Sequence, residues 1–252
     1  MEFDVRIMRT PEELYAKTAV AFVRKIGEIS QHRSRVHIGL SGGSIAERML
    51  AKVACVLEAN PEFIDDWSPV HVWLVDERYV CVDSPDRTDS IIERELTSRF
   101  PIFTLHRPPV PEDYAHVADA AKAYETHMVN TFSVSHRVDP RSIALDLTVL
   151  GMGPDGHFAS LFPSHETLRH QGLYTSVEDS PKPPPQRITM TVPFLRRSRN
   201  SWFVISGAEK ASVLSHALLG ADFREVPASA MNQVGTTWWC DEKAGAKVDR
   251  YV

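Results

Sequence analysis

Ile143-Ala144-Leu145-Asp146-Leu147-Thr148-Val149-Leu150 runs directly into Gly151-Met152-Gly153-Pro154-Asp155-Gly156-His157. The first half is an apolar stretch of strand length. The second is a turn whose three glycines and proline disfavour a helix. A buried strand ending in a glycine-rich turn points to an open α/β sheet, in which such turns gather at the carboxyl ends of strands. The flanking sequence keeps the same alternation. Residues 3–8 alternate apolar and charged side chains, the pattern of a half-buried strand. Thr10-Pro11-Glu12-Glu13 reads as a capping box with proline at the first helical position, opening a helix to about residue 30. Residues 36–40 form a short buried strand, then Ser41-Gly42-Gly43-Ser44, then a helix carrying Ile45, Met49, Val53 and Leu57 at helical spacing. Residues 70–75 are a strand that ends in Asp76-Glu77-Arg78, and helices are expected over 90–99 and 111–132. Beyond the glycine turn, Asp179-Ser180-Pro181-Lys182-Pro183-Pro184-Pro185 reads as a rigid surface loop or a linker. Strands at 188–192, 202–206 and 237–240 and a helix at 210–219 are expected to complete the first sheet. Strands separated by helices imply parallel pairing and a three-layer α/β/α sandwich with a mostly parallel, Rossmann-like sheet.

The chain has 252 residues, 28 basic and 33 acidic, for a net charge of -5. At roughly 100–200 residues per domain this allows one or two domains. The acidic balance is no footprint for nucleic acid, and an anionic small ligand needs only a few local positive groups. Cys55, Cys81 and Cys240 are odd in number and widely spaced, which argues against a disulfide framework and a cysteine zinc site. No signal-like N-terminal stretch and no apolar run of about 18 residues is present. The expectation is a cytoplasmic protein with no membrane partner.

Three motifs fall at strand ends, each with a competing reading. Gly151-Met152-Gly153-Pro154-Asp155-Gly156 matches the dinucleotide fingerprint G-x-G-x-x-G, but that fingerprint opens a long helix, and Pro163 follows too soon. Gly39-Leu40-Ser41-Gly42-Gly43 matches the G-x-S-x-G nucleophile elbow, and Asp76 and His157 supply the chain order of a serine hydrolase triad. The same loop also reads as an anion cradle at a helix start, or as a plain tight turn. His157, two residues after Asp155, has an imidazole suited to general base work near neutral pH. Asp76 also reads as a helix cap or a partner of Arg78, and Arg187 and Lys210 taken singly read as surface charges.

Residues 146–163, with Gly151-Met-Gly-Pro-Asp-Gly-His157 at their centre, closely resemble the signature of 6-phosphogluconolactonases. Ser41-Gly-Gly-Ser44, Trp73-Leu-Val-Asp-Glu-Arg-Tyr79, Pro184-Pro-Gln-Arg-Ile-Thr-Met-Thr191 and Ser206-Gly-Ala-Glu-Lys-Ala211 are similar to the same family in the same order. The resemblance spans nearly the whole chain and favours one domain over 1–252. It implies hydrolysis of 6-phospho-D-glucono-1,5-lactone without a cofactor or metal, with His157 as base and Asp155 beside it. Ser41, Gly42, Gly43, Ser44, Arg187 and Lys210 are the implied sugar-phosphate contacts, with Asp76 and Arg78 as further candidates at the anionic substrate. The expected partner is a small sugar phosphate, and the expected state is a monomer or weak homo-oligomer. Departures from the family pattern fall at Ile45-Ala46, Thr88-Asp89 and Leu195-Arg196. The alternatives are a glucosamine-6-phosphate deaminase, which the Pro-Pro-Gln-Arg-Ile-Thr block disfavours, a sensor domain of the same fold, for which no N-terminal DNA-binding segment is expected, and a serine esterase acting through Ser41.

Overall fold

The computed structural model describes residues 3–133 and 138–248. The strands are β1 (Asp4–Met8), β2 (Val36–Leu40), β3 (Val70–Leu74), β4 (Asp76–Arg78), β5 (Phe103–His106), β6 (Leu147–Leu150), β7 (Tyr174–Val177), β8 (Arg187–Met190), β9 (Ser201–Ile205) and β10 (Thr236–Asp241). The α-helices are α1 (Pro11–Ser30), α2 (Leu50–Ala59), α3 (Thr88–Ile92), α4 (Val117–Phe132), α5 (Val192–Leu195) and α6 (Ala211–Leu218). Seven strands form one sheet in the order β1-β10-β9-β6-β2-β3-β5, with every neighbouring pair parallel. This is the expected α/β architecture, helices lying on both faces of the sheet.

Side-chain alternation along the strands divides the core in two. Trp202, Val204 and Trp239 point to the layer of α1 and α2. Phe203, Ile205, Trp238 and Cys240 point to the opposite layer, with α4 and α6. Because both faces are covered, β2, β6 and β9 are buried along their whole length, as parallel strands of such sheets are. α1 starts where its sequence says: Thr10 Oγ1 accepts from the Glu13 amide at 3.1 Å. The Glu13 carboxylate returns to the Arg9 amide at 3.1 Å, one residue earlier than a strict capping box.

Three expectations are corrected. The strand expected at 188–192 does not join the main sheet. As β8 it pairs antiparallel with β4 and β7 in a separate three-stranded sheet, and β7 itself carries too few apolar residues to stand out in the sequence. The helix expected from 111 begins at Val117. Ahead of it Asp113 closes a local turn, its carboxylate taking the Val110 amide at 3.2 Å while its own amide donates to the Val110 carbonyl at 2.9 Å, so side-chain bonding displaces the first helical turn. The strand expected over 143–150 is regular only over β6. Just before it, Asp146 commits its carboxylate to the His37 amide at 2.9 Å and lies beside Arg33 and Arg199.

Against α4 the sheet carries a line of imidazoles. His37 stacks on His71 at 4.6 Å and on Phe132 at 3.9 Å between ring centroids. His71 Nδ1 lies 2.8 Å from His106 Nε2, and His106 Nδ1 lies 2.8 Å from His127 Nε2. Burial, reinforced by the neighbouring imidazoles, pushes His37 and His106 down to about 3. Between 6.5 and that value an unfolded chain binds protons that the folded chain refuses. Their contribution is therefore intact above pH 6.5 and is lost as pH falls toward 3. The melting temperature is expected to drop on acidification from pH 7 to pH 4.5. A His106→Asn variant, less stable at pH 7, is expected to drop less over the same interval. An equal drop in both would assign the acid sensitivity to other groups.

Candidate active site

β2 and β6 lie side by side with Leu40 opposite Val149, and the Ser41 amide donates to the Val149 carbonyl at 3.0 Å. The 41–44 loop and the 151–157 turn thus leave adjacent strands at their carboxyl ends. The strand order reverses at the same place: the chain moves outward from β2 through β3 to β5, then returns to lay β6 on the other side. Ligand crevices of open α/β sheets form at such points. A cavity of about 200 Å³ opens there, lined by Ser41, Gly42, Gly43, Ser44, Asp76, Arg78, His157, Arg187 and Lys210 among others. Every site residue singled out in the sequence therefore reaches the cavity wall except Asp155, which lies behind His157.

Asp155 meets His157 directly, its Oδ1 against the imidazole Nδ1. The turn makes this possible. Gly156 adopts φ +81°, the region glycine enters without steric cost, and the Gly153 amide donates to the His157 carbonyl at 2.9 Å. Gly153 cannot be replaced by a larger residue in this arrangement, because a Cβ there would overlap the imidazole ring. Burial pushes His157 below its ordinary 6.5; the Asp155 hydrogen bond opposes that shift and a nearby lysine, Lys182, adds to it. Burial also raises the Asp155 carboxyl, but the bond to His157 and the Lys182 charge outweigh it and hold the group below the usual range.

The hydrogen bonds of a serine triad are not formed. Asp76 accepts from Ser160 Oγ at 2.7 Å and not from His157. Ser41 Oγ is buried in the cavity wall with no hydrogen-bond partner among the described residues, so it has no adjacent base to activate it. The loop instead presents an open backbone. Gly43 takes φ +61°, and a Cβ on Gly42 would stand 2.5 Å from the Thr88 hydroxyl. After the loop the chain turns directly into a helix, a wide first turn over Ile45–Met49 that continues as α2. No long helix follows His157, which removes the geometry of a dinucleotide fingerprint.

The cationic groups stand on other elements. Arg187, at the start of β8, donates from Nε to the Pro184 carbonyl at 3.2 Å and from Nη2 to the carbonyls of Lys182 and Pro183 at 3.0 and 3.1 Å. Its guanidinium thereby clips the 180–185 loop to the site, which settles that segment as a surface loop of the site. Arg78 donates to the Asp86 carbonyl at 2.8 Å. Lys210, just ahead of α6, is pushed down by burial, with Glu209 pulling the other way. An anion in the cavity would relieve that penalty.

Four residues near the site escaped the sequence reading as functional positions. Lys182 lies 3.1 Å from His157 Nδ1. Ser160 holds Asp76. Thr88, noted only as a departure, lines the cavity. Glu77 is buried beneath it, accepting the amides of Arg78, Thr88 and Asp89 at 2.9–3.0 Å. Burial nevertheless pushes Glu77 up to about 7. Only Lys182 had a usable signal, its place within a proline-rich stretch that leads into Arg187.

The sequence model of glucosamine-6-phosphate isomerases/6-phosphogluconolactonase matches residues 9–239. A 6-phosphogluconolactonase of Mycobacterium tuberculosis is 35% identical over 98% of this chain and 99% of its own length. One of Homo sapiens is 34% identical over 86% of this chain and 81% of its own. Among solved structures, a 6-phosphogluconolactonase from Thermotoga maritima superposes with a TM-score of 0.74 at 26% identity, covering 95% of this chain and 99% of that one.

The Gly153 packing is directly testable. Gly153→Ala is expected to displace the imidazole from Asp155 toward solvent, so that in an NMR titration the His157 pKa rises toward the free value, with the fold retained in thermal melts. An unchanged His157 titration would reject this packing.

Proposed function

The chain belongs to the glucosamine-6-phosphate isomerase/6-phosphogluconolactonase family, and from that premise we propose that it hydrolyses 6-phospho-D-glucono-1,5-lactone to 6-phosphogluconate. The observation that carries this reading is the His157 imidazole on the cavity wall, with one nitrogen held by Asp155. The other nitrogen, Nε2, takes a proton from a water attacking the lactone carbonyl carbon C1. Asp155 fixes the ring and stabilises the imidazolium that forms. As the tetrahedral intermediate collapses, the C1–O5 bond breaks and the imidazolium returns the proton to O5, leaving an open chain with a carboxylic acid at C1 that ionises by releasing the second water proton to solvent. A positioned base of this kind contributes about 10²–10⁴ in rate. Arg78 or backbone N–H groups of the cavity wall stabilise the developing oxyanion.

The phosphate lies away from the reacting carbon and serves as the anchor. Lys210, the remaining guanidinium face of Arg187 and the amides of the 41–44 loop supply donors for it, and the buried Ser41 hydroxyl gains a partner when an anion is present. Charge-assisted hydrogen bonds of this type are worth roughly 1.5–3 kcal/mol each. The same reading treats 1–252 as one domain working in the cytoplasm without a cofactor, as a monomer or weak homo-oligomer.

Freshly made 6-phosphogluconolactone, with the spontaneous rate subtracted, tests the proposal. Wild type is expected to accelerate hydrolysis, and His157→Ala to lose about 10²–10⁴ of that acceleration. Lys210→Ala is expected to lower kcat/KM roughly ten- to a hundred-fold, and lactone lacking the phosphate to be a poor substrate. Ser41→Ala is expected to keep turnover, since no acyl-enzyme forms. The base acts only when neutral, and burial holds His157 below 6.5, so the acid limb of kcat/KM is expected to have its midpoint below pH 6.5. Ammonia release from glucosamine 6-phosphate without lactonase activity would overturn the proposal in favour of the other activity in the family description.

A further inference from the structure

The His157–Asp155 pair has a third member that the hydrolytic mechanism leaves without a part. Lys182 Nζ stands 3.1 Å from His157 Nδ1 and 3.4 Å from each carboxylate oxygen of Asp155. It reaches them from a different segment, the 180–185 loop, which is shaped for the task. Ser180 Oγ donates to the Lys182 carbonyl at 2.9 Å, and the Lys182 amide donates back to Ser180 Oγ at 3.3 Å. Arg187 also donates to the Lys182 and Pro183 carbonyls. The amide and carbonyl of Lys182 are thus both held, while its side chain, 40% exposed, crosses to the pair.

An ammonium has donors and no acceptor. When Nδ1 carries its proton, that proton goes to Asp155 and Lys182 bonds to the carboxylate. When Nδ1 is bare, Lys182 can donate to it, and the proton must sit on Nε2, where the ring cannot act as a base toward the cavity. Asp155 and Lys182 therefore compete for one nitrogen, and the closer contact, that of the carboxylate, favours the proton on Nδ1. The cation also repels a charge on the imidazole. Resting on the lactonase reading, we propose that Lys182 is a positioning residue: by pairing with Asp155 behind the ring, it maintains the ionised carboxylate and the neutral imidazole whose Nε2 faces the substrate.

The other charged groups near His157 are Asp155 and, from β4, Asp76, both favouring the imidazolium, against Lys182. Lys210 and Arg187 extend the positive side, and Lys182 itself helps to push Lys210 down. Loss of Lys182 therefore leaves two carboxylates facing the ring, with the counter-charge on Asp155 gone. The imidazolium becomes easier to form, and the base is protonated at higher pH than in the intact protein.

The experiment pairs Lys182→Met with Lys182→Arg. In substrate-free protein, NMR titration of His157 is expected to move up by about one pH unit in Lys182→Met and to stay near wild type in Lys182→Arg. In the lactonase assay the acid limb of kcat/KM is expected to move upward by the same amount in Lys182→Met, with KM at pH 8 changed less than twofold. An unmoved titration overturns the proposal. A rise in KM with an unmoved acid limb also overturns it and makes Lys182 a substrate contact. A drop in kcat with both curves unmoved reduces Lys182 to a structural role, again overturning it. If no lactonase activity is found, the titration still decides the proposal, so the two failures are separable. Lys182→Gln, smaller and polar, replaces Lys182→Met if that variant does not fold.

Discussion

The parallel pairing of β2 with β6 is the constraint on which the site depends. It places Leu40 opposite Val149 and ties the Ser41 amide to the last part of β6. Two loops that are more than a hundred residues apart in the chain then emerge one strand spacing from each other. A shift of one residue in that register would turn the side chains of the shifted strand to the wrong core, sending Leu40 or Val149 away from the α1–α2 layer. The apolar fit on both faces thus fixes the distance between the glycine-rich loop and the histidine turn. Burial of ordinary aliphatic side chains specifies the geometry of a polar cavity.

Much of this was legible in the sequence because it is carried by period. The apolar runs of β2, β3, β6 and β9 declare buried parallel strands, and Thr10 and Pro11 declare the start of α1. The principal cavity residues were legible for a different reason: they lie in turns where glycine, charge and histidine break the apolar pattern. What escaped is what depends on contact. β4 is three residues long and β7 reads Tyr-Thr-Ser-Val, so neither has enough alternation to announce a second sheet. The Asp113 turn that delays α4 is a local side-chain bond competing with a good helix pattern. Thr88 and Ser160 acquire meaning only from the groups they meet. The contact between Asp155 and His157 was suggested by their spacing but required the Gly156 backbone to realise it.

The electrostatics of the site run against those of the molecule. A chain of net charge -5 gathers Arg78, Lys182, Arg187 and Lys210 around one opening. Burial lowers the affinity of Lys210 and Arg187 for their protons, so the cavity is costly to keep charged while it is empty. An anionic guest reverses that cost, which makes occupancy stabilising for the fold as well as for the guest. Acidic side chains elsewhere on the surface repel anions, and the local cluster must overcome that background over a short range set by salt.

The absent side chain at Gly153 has a consequence for how this chain can vary. The His157 ring stands where a Cβ would be, and every other amino acid of the genetic code carries that atom. No nucleotide change that replaces this glycine leaves the imidazole in place. The two positions are therefore inherited as a unit: a descendant that keeps the histidine in this pose keeps the glycine, and one that has exchanged the glycine has moved the imidazole. Position 153, which carries no side chain of its own, becomes a diagnostic of whether a distant relative still holds its imidazole in this pose.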